Sequence, residues 1–571
     1  MEEFDNIAIK AKKDQETAVE SAYDYLEHFD ILETITNVGN DEVFTPRNVC
    51  DMMLDSLPEE VWHNPDYKWL NPATKNGIFE REISIRLNEG LKEIIPNEEI
   101  RKKHILQNMV FSIGQTKFTA NVARRTLYYC CDANRKSDDI KGNDGHLLNG
   151  YAIGNGTWFD DYQGNIKTPN TSHEFNKKDK CIYCGISKES KYNDMTQREQ
   201  YAYEFIHYKK EDLLKHLQDR FFKGDRNMKF DIIIGNPPYQ LSDGGGIGKS
   251  SAKPIYNLFV QQSLELNPKY LCMIIPSRWM SGGKGLDEFR NQMINDRHLR
   301  TMHDFLNPKE CFPNNSIKGG VCFFVWDRNR NDKCNIYTRF GKEIKCSKRY
   351  LKEGDCDIFI RDEMLIGIKN KVDLKNKKRL NTIVSNRKPY GLDADITSNS
   401  KKSGSFSLDE IQEGYKVLGL DGKQKRTWFY LNKNYEIPKF SNCLNKYKVF
   451  IAKAYGCGII GEAPSTPVLS TPGELCTETF LEIGPFETRN EASNLIKYIK
   501  TKFFRLMVGI KKQTQNTTSK VYEYVPLFNF SNNSDVDWNL SVKEIDQSLY
   551  KKFNFSEEEI SYIEENIEEM N

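Results

Sequence analysis

Apolar residues fall along this chain in two alternating rhythms. Between Val43 and about Arg328, short β-rich runs stand at YKWLNPA (67–73), MVFSI (109–113), FDIIIGN (230–236), YLCMIIP (270–276) and GVCFFVW (320–326). Stretches with helical spacing separate them. Nearly continuous apolar strands alternating with helices predict an α/β fold built on a doubly wound sheet. Such sheets take their ligands at the carboxyl ends of the strands. Ahead of this region, residues 7–34 place Ile7, Ala11, Ala18, Ala22, Tyr25 and Leu26 at helical intervals, which predicts a helical extension over 1–40. The rhythm breaks at about 130–190, a polar stretch rich in Gly and Asn with four cysteines, expected to be an insertion in a domain spanning 41–345. From 346 to 571 the pattern is mixed and turn-rich, a second domain of mixed α/β character. It ends in FSEEEISYIEENIEEM, where Ser556 and Glu559 are spaced as a capping box.

Composition narrows the class. With 571 residues, 29% of them charged and 12% aromatic, the chain has material for several well-packed domains and is not a disordered polymer. No run approaches the ~18 apolar residues of a membrane span, and MEEFDNIAIKAKKDQE has no apolar signal-like core. Fourteen cysteines in that setting predict a reducing, cytoplasmic location, with free thiols or a metal site rather than a disulfide framework.

The most informative chemistry is in FDIIIGNPPYQ (230–240). An apolar strand ends in Gly235-Asn236-Pro237-Pro238-Tyr239, where two prolines remove two backbone donors and leave carbonyls that can only accept. Asn236 adds a side-chain acceptor and Tyr239 a flat ring. Two acceptors beside an aromatic platform suit the –NH₂ group of a planar base.

This segment resembles motif IV of the amino-methyltransferases, in the NPPY form typical of N6-adenine enzymes. VFTPRNVCDMMLDSL (43–57) resembles motif X, and WLNPATKNGIFEREI (69–83) resembles motif I. The order X, I, IV, followed by a recognition domain, is that of the gamma class of type II and IIG restriction–modification enzymes. The resemblance implies a Rossmann-like sheet and a C-terminal target-recognition domain. It also implies S-adenosylmethionine as cofactor and double-stranded DNA as substrate, in a restriction–modification, phage or orphan setting, the first of which would bring a separate restriction endonuclease as partner. It assigns catalysis to Asn236, Pro237, Pro238 and Tyr239, and cofactor binding to Thr45, Pro46, Asn71, Pro72, Ala73, Gly77 and Phe79. Gln115 stands where relatives carry the acid that holds the ribose, and Lys75-Asn76 replace a more usual Gly-Ser. GGVCFFVWDR (319–328) resembles motif VIII, so Phe324 or Trp326, which share one strand face, is expected to stack on the extruded base. The alternatives are an RNA or protein-amide methyltransferase, or a recognition subunit that has kept the fold.

GGGIGKSS (244–251) is not a P-loop, because Asp243 stands where the first Gly is required. Cys181-Ile-Tyr-Cys184-Gly has the spacing of a zinc knuckle, with Cys131 (or Cys130) and His173 as further ligands and His146 in reserve. The 82 Lys and Arg against 81 Asp and Glu leave a net charge of +1, so a DNA-binding surface requires segregation. Basic residues gather at 371–379, 401–402, 423–426 and 511–512, which predicts a positive cleft between the two domains.

Overall fold

The apolar runs become strands because they are wanted inside on both faces. A computed structural model describes residues 43–128, 159–169, 173–183, 188, 201–240, 253–283, 285–315, 317, 319–341, 343–397, 406–412, 414–432, 434–456, 458–512 and 515–570. They form two units, divided between Tyr350 and Leu351, with Met280–Gly282 grouped with the second. The expected helices over 7–34 lie outside the described residues.

The first unit holds one sheet of nine strands: β1 (Trp69–Thr74), β2 (Val110–Gly114), β3 (Ile166–Lys167), β4 (Ile232–Gly235), β5 (Tyr270–Pro276), β6 (Leu299–Phe305), β7 (Val321–Asp327), β8 (Cys334–Phe340) and β9 (Glu343–Arg349). Their order is 3-2-1-4-5-7-6-8-9. Strands β3 to β5 run parallel, β7 is antiparallel between β5 and β6, and β8 and β9 extend the edge. The fold is therefore α/β with one large mixed sheet. From β1 the chain moves outward to β2 and β3, then returns to β4 on the other side. That reversal leaves a crevice at the carboxyl ends of β1 and β4, the usual ligand site of such sheets. Helices α1 (Arg47–Asp55) and α2 (Ile78–Gly90) join β1, β4, β5 and β7 in one apolar cluster containing Val49, Trp69, Phe79, Ile232, Ile274 and Phe323. Each side chain buried there contributes roughly 1.5–3 kcal/mol.

Two expectations are corrected. β3 lies inside the 130–190 stretch, so part of the expected insertion is the sheet's own edge. Two residues are too few to display a period. The sheet also runs past 345 to Arg349, because β8 and β9 form an antiparallel pair whose outer strand is mostly exposed and lacks an apolar run.

The second unit contains a four-stranded sheet, β10 (Phe406–Ser407), β12 (Arg426–Leu431), β11 (Tyr415–Leu420) and β15 (Glu474–Cys476), in that spatial order. A three-stranded sheet holds β14 (Val468–Ser470), β13 (Tyr447–Ala452) and β16 (Phe480–Phe486). An aromatic core around Tyr498, Phe503, Phe504 and Trp538 packs with them. The final helix, Glu557–Asn566, starts with the Ser556–Glu559 capping box. The basic runs are less available than their charges suggest. Lys511 is buried between Asp357 and Glu523, and Lys512 is buried on Glu462. Lys371 pairs with Glu559 and Arg379 with Asp373. Exposed basic side chains remain at Lys377, Lys378, Lys423 and Lys425, while 401–402 lie outside the described residues. No described helix is long and apolar enough to cross a membrane.

His303 on β6 lies between Phe323 and Tyr337, with ring centroids 4.5 Å away on each side. Burial, with Arg339 nearby, lowers its pKa from the ordinary 6.5 to about 4. The folded state thus resists protonation that the unfolded chain accepts. The stabilisation is complete above pH ~6.5 and is lost as pH falls toward 4. His303→Gln should flatten that part of a denaturant-midpoint-against-pH curve; an unchanged slope would contradict the assignment.

Candidate active site

The crevice is built on an asparagine. Asn71, near the middle of β1, donates from Nδ2 to Glu80 Oε1 at 2.9 Å, and its Oδ1 accepts from the Ala73 backbone N–H at 3.1 Å. The same Glu80 oxygen accepts from Ser112 Oγ on β2 at 2.5 Å. Burial pushes the Glu80 carboxyl up from its ordinary range, and the Ser112, Thr74 and Asn71 donors pull it back. One buried network thereby ties β1, β2 and the first turn of α2. Across the crevice, β4 comes so close that a Cβ on Gly235 would lie 2.5 Å from Asn71 Oδ1. Only glycine fits there.

After β1 the chain turns through Lys75-Asn76-Gly77 into α2. Gly77 is the N-cap, at φ 82°, and a Cβ on it would meet Ala123 Cα at 2.9 Å. A left-handed glycine at that point brings bare backbone and a helix N-terminus to the crevice. Thr45, Asn71, Ala73, Gly77, Phe79 and Asn236, all expected site residues, line the hollow there together with Thr74, Lys75, Asn76, Ile78 and Glu80. Lys75 does not open the turn as Gly-Ser would. Its Nζ donates to the Val43 carbonyl at 2.7 Å. Pro46 is the N-cap of α1, and neither it nor Pro72 lines the hollow. Gln115 follows β2 with its backbone N–H donating to Thr74 O at 2.9 Å. Both atoms of its fully buried side-chain amide lack a hydrogen-bond partner among the described residues.

Asn236, just past β4, is 2% exposed. Its Nδ2 donates to Val43 O at 3.0 Å and to Thr45 Oγ1 at 3.1 Å. A backbone carbonyl can only accept, so this sets which end of the amide faces the 43–45 segment. The opposite atom, Oδ1, is buried and has no partner among the described residues. Tyr239 packs against the apolar cluster with its ring edge-on to Phe312, centroids 6.5 Å apart. Its hydroxyl also lacks a partner among the described residues, and burial holds its pKa well above the ordinary value, so it stays neutral.

Neither expected stacking residue reaches this group. Phe323 and Val325 belong to the cluster that receives Tyr239, so Phe324 and Trp326 point to the opposite face of the sheet. Because β7 is antiparallel, Trp326 pairs with Leu271 at the start of β5, at the edge away from Asn236. Its Nε1 donates to Asp296. The aromatic side chain beside Tyr239 is Phe312, in the turn after β6. Phe312 and Glu80 were not found from sequence. An acid in the first turn after Gly77 was a readable signal for Glu80, and no local pattern announced Phe312.

Of the expected metal ligands, His173 and Cys181 come together and are joined by His207, with ligand atoms all within 4.8 Å of one another. Cys130, Cys131, His146 and Cys184 lie outside the described residues, as does 244–251.

Residues 108–312 match the Eco57I restriction-modification methylase family. An uncharacterized adenine-specific methylase of Mycoplasma pneumoniae is 47% identical over 335 residues, covering 56% of this chain and 76% of the relative. Among solved structures, the type IIL restriction-modification enzyme MmeI in complex with DNA aligns at TM-score 0.48 and 11% identity, over 90% of this chain and 76% of that one. A nuclease-deletion mutant of the type ISP enzyme LlaGI aligns at TM-score 0.46 and 11% identity, over 94% and 48%.

Gly235→Ala should force β4 away from Asn71 and destabilise the first unit by about 1–3 kcal/mol. Gly422→Ala, where no heavy atom lies within 4 Å of the new Cβ, serves as the control in the same urea titration. Equal midpoints for the two variants would show that the β1–β4 approach is not tight.

Proposed function

The chain belongs to the adenine-specific methylase family, and from that premise we propose that it methylates N6 of adenine in double-stranded DNA, as the modification enzyme of a restriction–modification system. The observation that carries the reading is the Asn236 amide: both its donor hydrogens are taken, and a buried, unpartnered oxygen is left facing the crevice. That oxygen suits an N–H of an exocyclic amine, and the Pro237 carbonyl beside it supplies the second acceptor.

S-Adenosylmethionine is the cofactor that the family implies, and the residues present fit it. The Gly77 turn and the α2 N-terminus suit its carboxylate. The two unpartnered amide atoms of Gln115 suit the ribose hydroxyls, in the place where an acid is more usual. Thr45, Ala73 and Phe79 line the hollow at the Gly77 turn, which Gln115 itself does not line. When bound, the cofactor supplies an electrophilic methyl group. We read β1–β7 as a Rossmann-like methyltransferase sheet, whose order and reversed β7 support that view.

The chain's own residues then do four things. Asn236 and Pro237 accept the two amine hydrogens, which keeps the nitrogen lone pair aimed across the crevice. Tyr239 offers its ring to the adenine, which must leave the duplex to arrive there, at a cost of a few kcal/mol. Pro238 stiffens the turn between them. The apolar cluster around Phe312 excludes water, so the acceptors act in a low dielectric. The second unit would read the DNA sequence, and a separate endonuclease would cut unmodified sites.

Methylation-sensitive sequencing of DNA from cells expressing the protein should show N6-methyladenine in one short motif. Asn236→Ala should lower the rate at least ~10²-fold while DNA binding persists. Methylation at the normal rate in that variant would overturn the reading. Thr45→Val removes one of the two acceptors that hold the amide, and a methyl-transfer rate constant reduced about tenfold is expected in single-turnover assays.

A further inference from the structure

We propose that His173, Cys181 and His207 supply three of the four ligands of a structural zinc ion, which fastens a small hairpin to the segment packed beside the crevice. The hairpin spans 173–183. Phe175 and Cys181 form an antiparallel bridge, the Ile182 N–H donates to Glu174 O at 2.9 Å, and the Asn176 N–H donates to Lys180 O at 2.9 Å. Asn176 Oδ1 accepts from the Lys178 N–H at 2.8 Å and shapes the turn, which Asp179 completes at φ 51°. With 175 opposite 181, residues 173 and 181 project from the same face.

This hairpin has almost no core of its own. Every residue from Glu174 to Ile182 is exposed except Phe175, which is half-buried, and Cys181, which is 2% exposed. A lone two-stranded hairpin is marginal in water, so something must hold its buried face. What that face meets is His207, 5% exposed, whose ring stands edge-on to His173 at 4.7 Å. The three ligand atoms lie within 4.8 Å of one another. Nitrogen and sulfur ligands at about 2.0–2.3 Å from a tetrahedral zinc would be about 3.3–3.8 Å apart, so the set needs only a slight contraction. Two imidazoles and a thiolate favour zinc over the oxygen-seeking magnesium or calcium.

The ion would also bear on the crevice. His207 directly follows the short 3₁₀ turn Tyr201–Ile206, and the Tyr201 N–H donates to the Gln115 carbonyl at 2.8 Å. Gln115 is the residue assigned above to the cofactor ribose, so loss of the ion should weaken cofactor binding as well as free the hairpin.

The test is elemental analysis of the full chain, purified without chelators or a histidine tag. About one zinc per chain is expected, falling below about a fifth of that in Cys181→Ser and in His207→Ala. His63→Ala, which alters a histidine far along the chain from the set, should keep its zinc. Because the first two variants could fail to fold, the unmodified protein is also loaded with cobalt(II). A thiolate-to-cobalt charge-transfer band with tetrahedral d–d absorption supports the site. Absence of both stoichiometric zinc and that band would overturn it, as would full zinc content in folded Cys181→Ser.

Discussion

One buried amide stands where the two central strands, β1 and β4, come closest beside the crevice. Asn71 uses its nitrogen on Glu80 and its oxygen on the Ala73 N–H, and that oxygen is the wall Gly235 must pass. Because Glu80 also takes the Ser112 hydroxyl, two strands and a helix start share one set of buried polar atoms. Sharing those atoms couples the positions of all three elements, although the second Glu80 oxygen, Oε2, is left without a partner among the described residues. The crevice at the strand reversal therefore has a definite width, which a ligand finds ready.

Against that frame, the NPPY segment divides its work between donor and acceptor ends. Asn236 is clamped at its nitrogen by a segment nearly two hundred positions earlier in the chain, and its oxygen is left for something else. Preorganisation is the physical content of that arrangement: the oxygen is already desolvated and already aimed, so little reorganisation would be left to the binding of the proposed amine. Tyr239 sits differently, with its ring against the apolar cluster and a neutral hydroxyl inside it.

The sequence carried the central strands and the residues of the crevice far better than it carried their surroundings. FDIIIGN and YLCMIIP are legible because a strand buried on both faces leaves no polar position to blur it. β6 hid because Arg300 and His303 interrupt its apolar residues, and β9 because it is an exposed edge. Phe324 and Trp326 share a strand face, as alternation says, but alternation cannot tell which face meets Asn236 or that β7 runs backwards. The lysines at 511–512 look like a DNA-binding patch until their partners Asp357, Glu523 and Glu462 come into view from distant parts of the chain. His207 was invisible for the same reason: nothing local relates it to His173.

The Val43 carbonyl receives both Lys75 Nζ and Asn236 Nδ2. Its role belongs to the backbone, so any residue of similar bulk at position 43 would still present it, and sequence variation there says little about its importance. Register is another matter. Inserting or deleting one residue just after position 43 would put the next peptide unit, turned the other way, in its place. Both the motif I turn and the NPPY amide would then lose their anchor together, so position 43 should tolerate exchange of its side chain, unlike Thr45 with its hydroxyl on Asn236, while the segment tolerates no change of length.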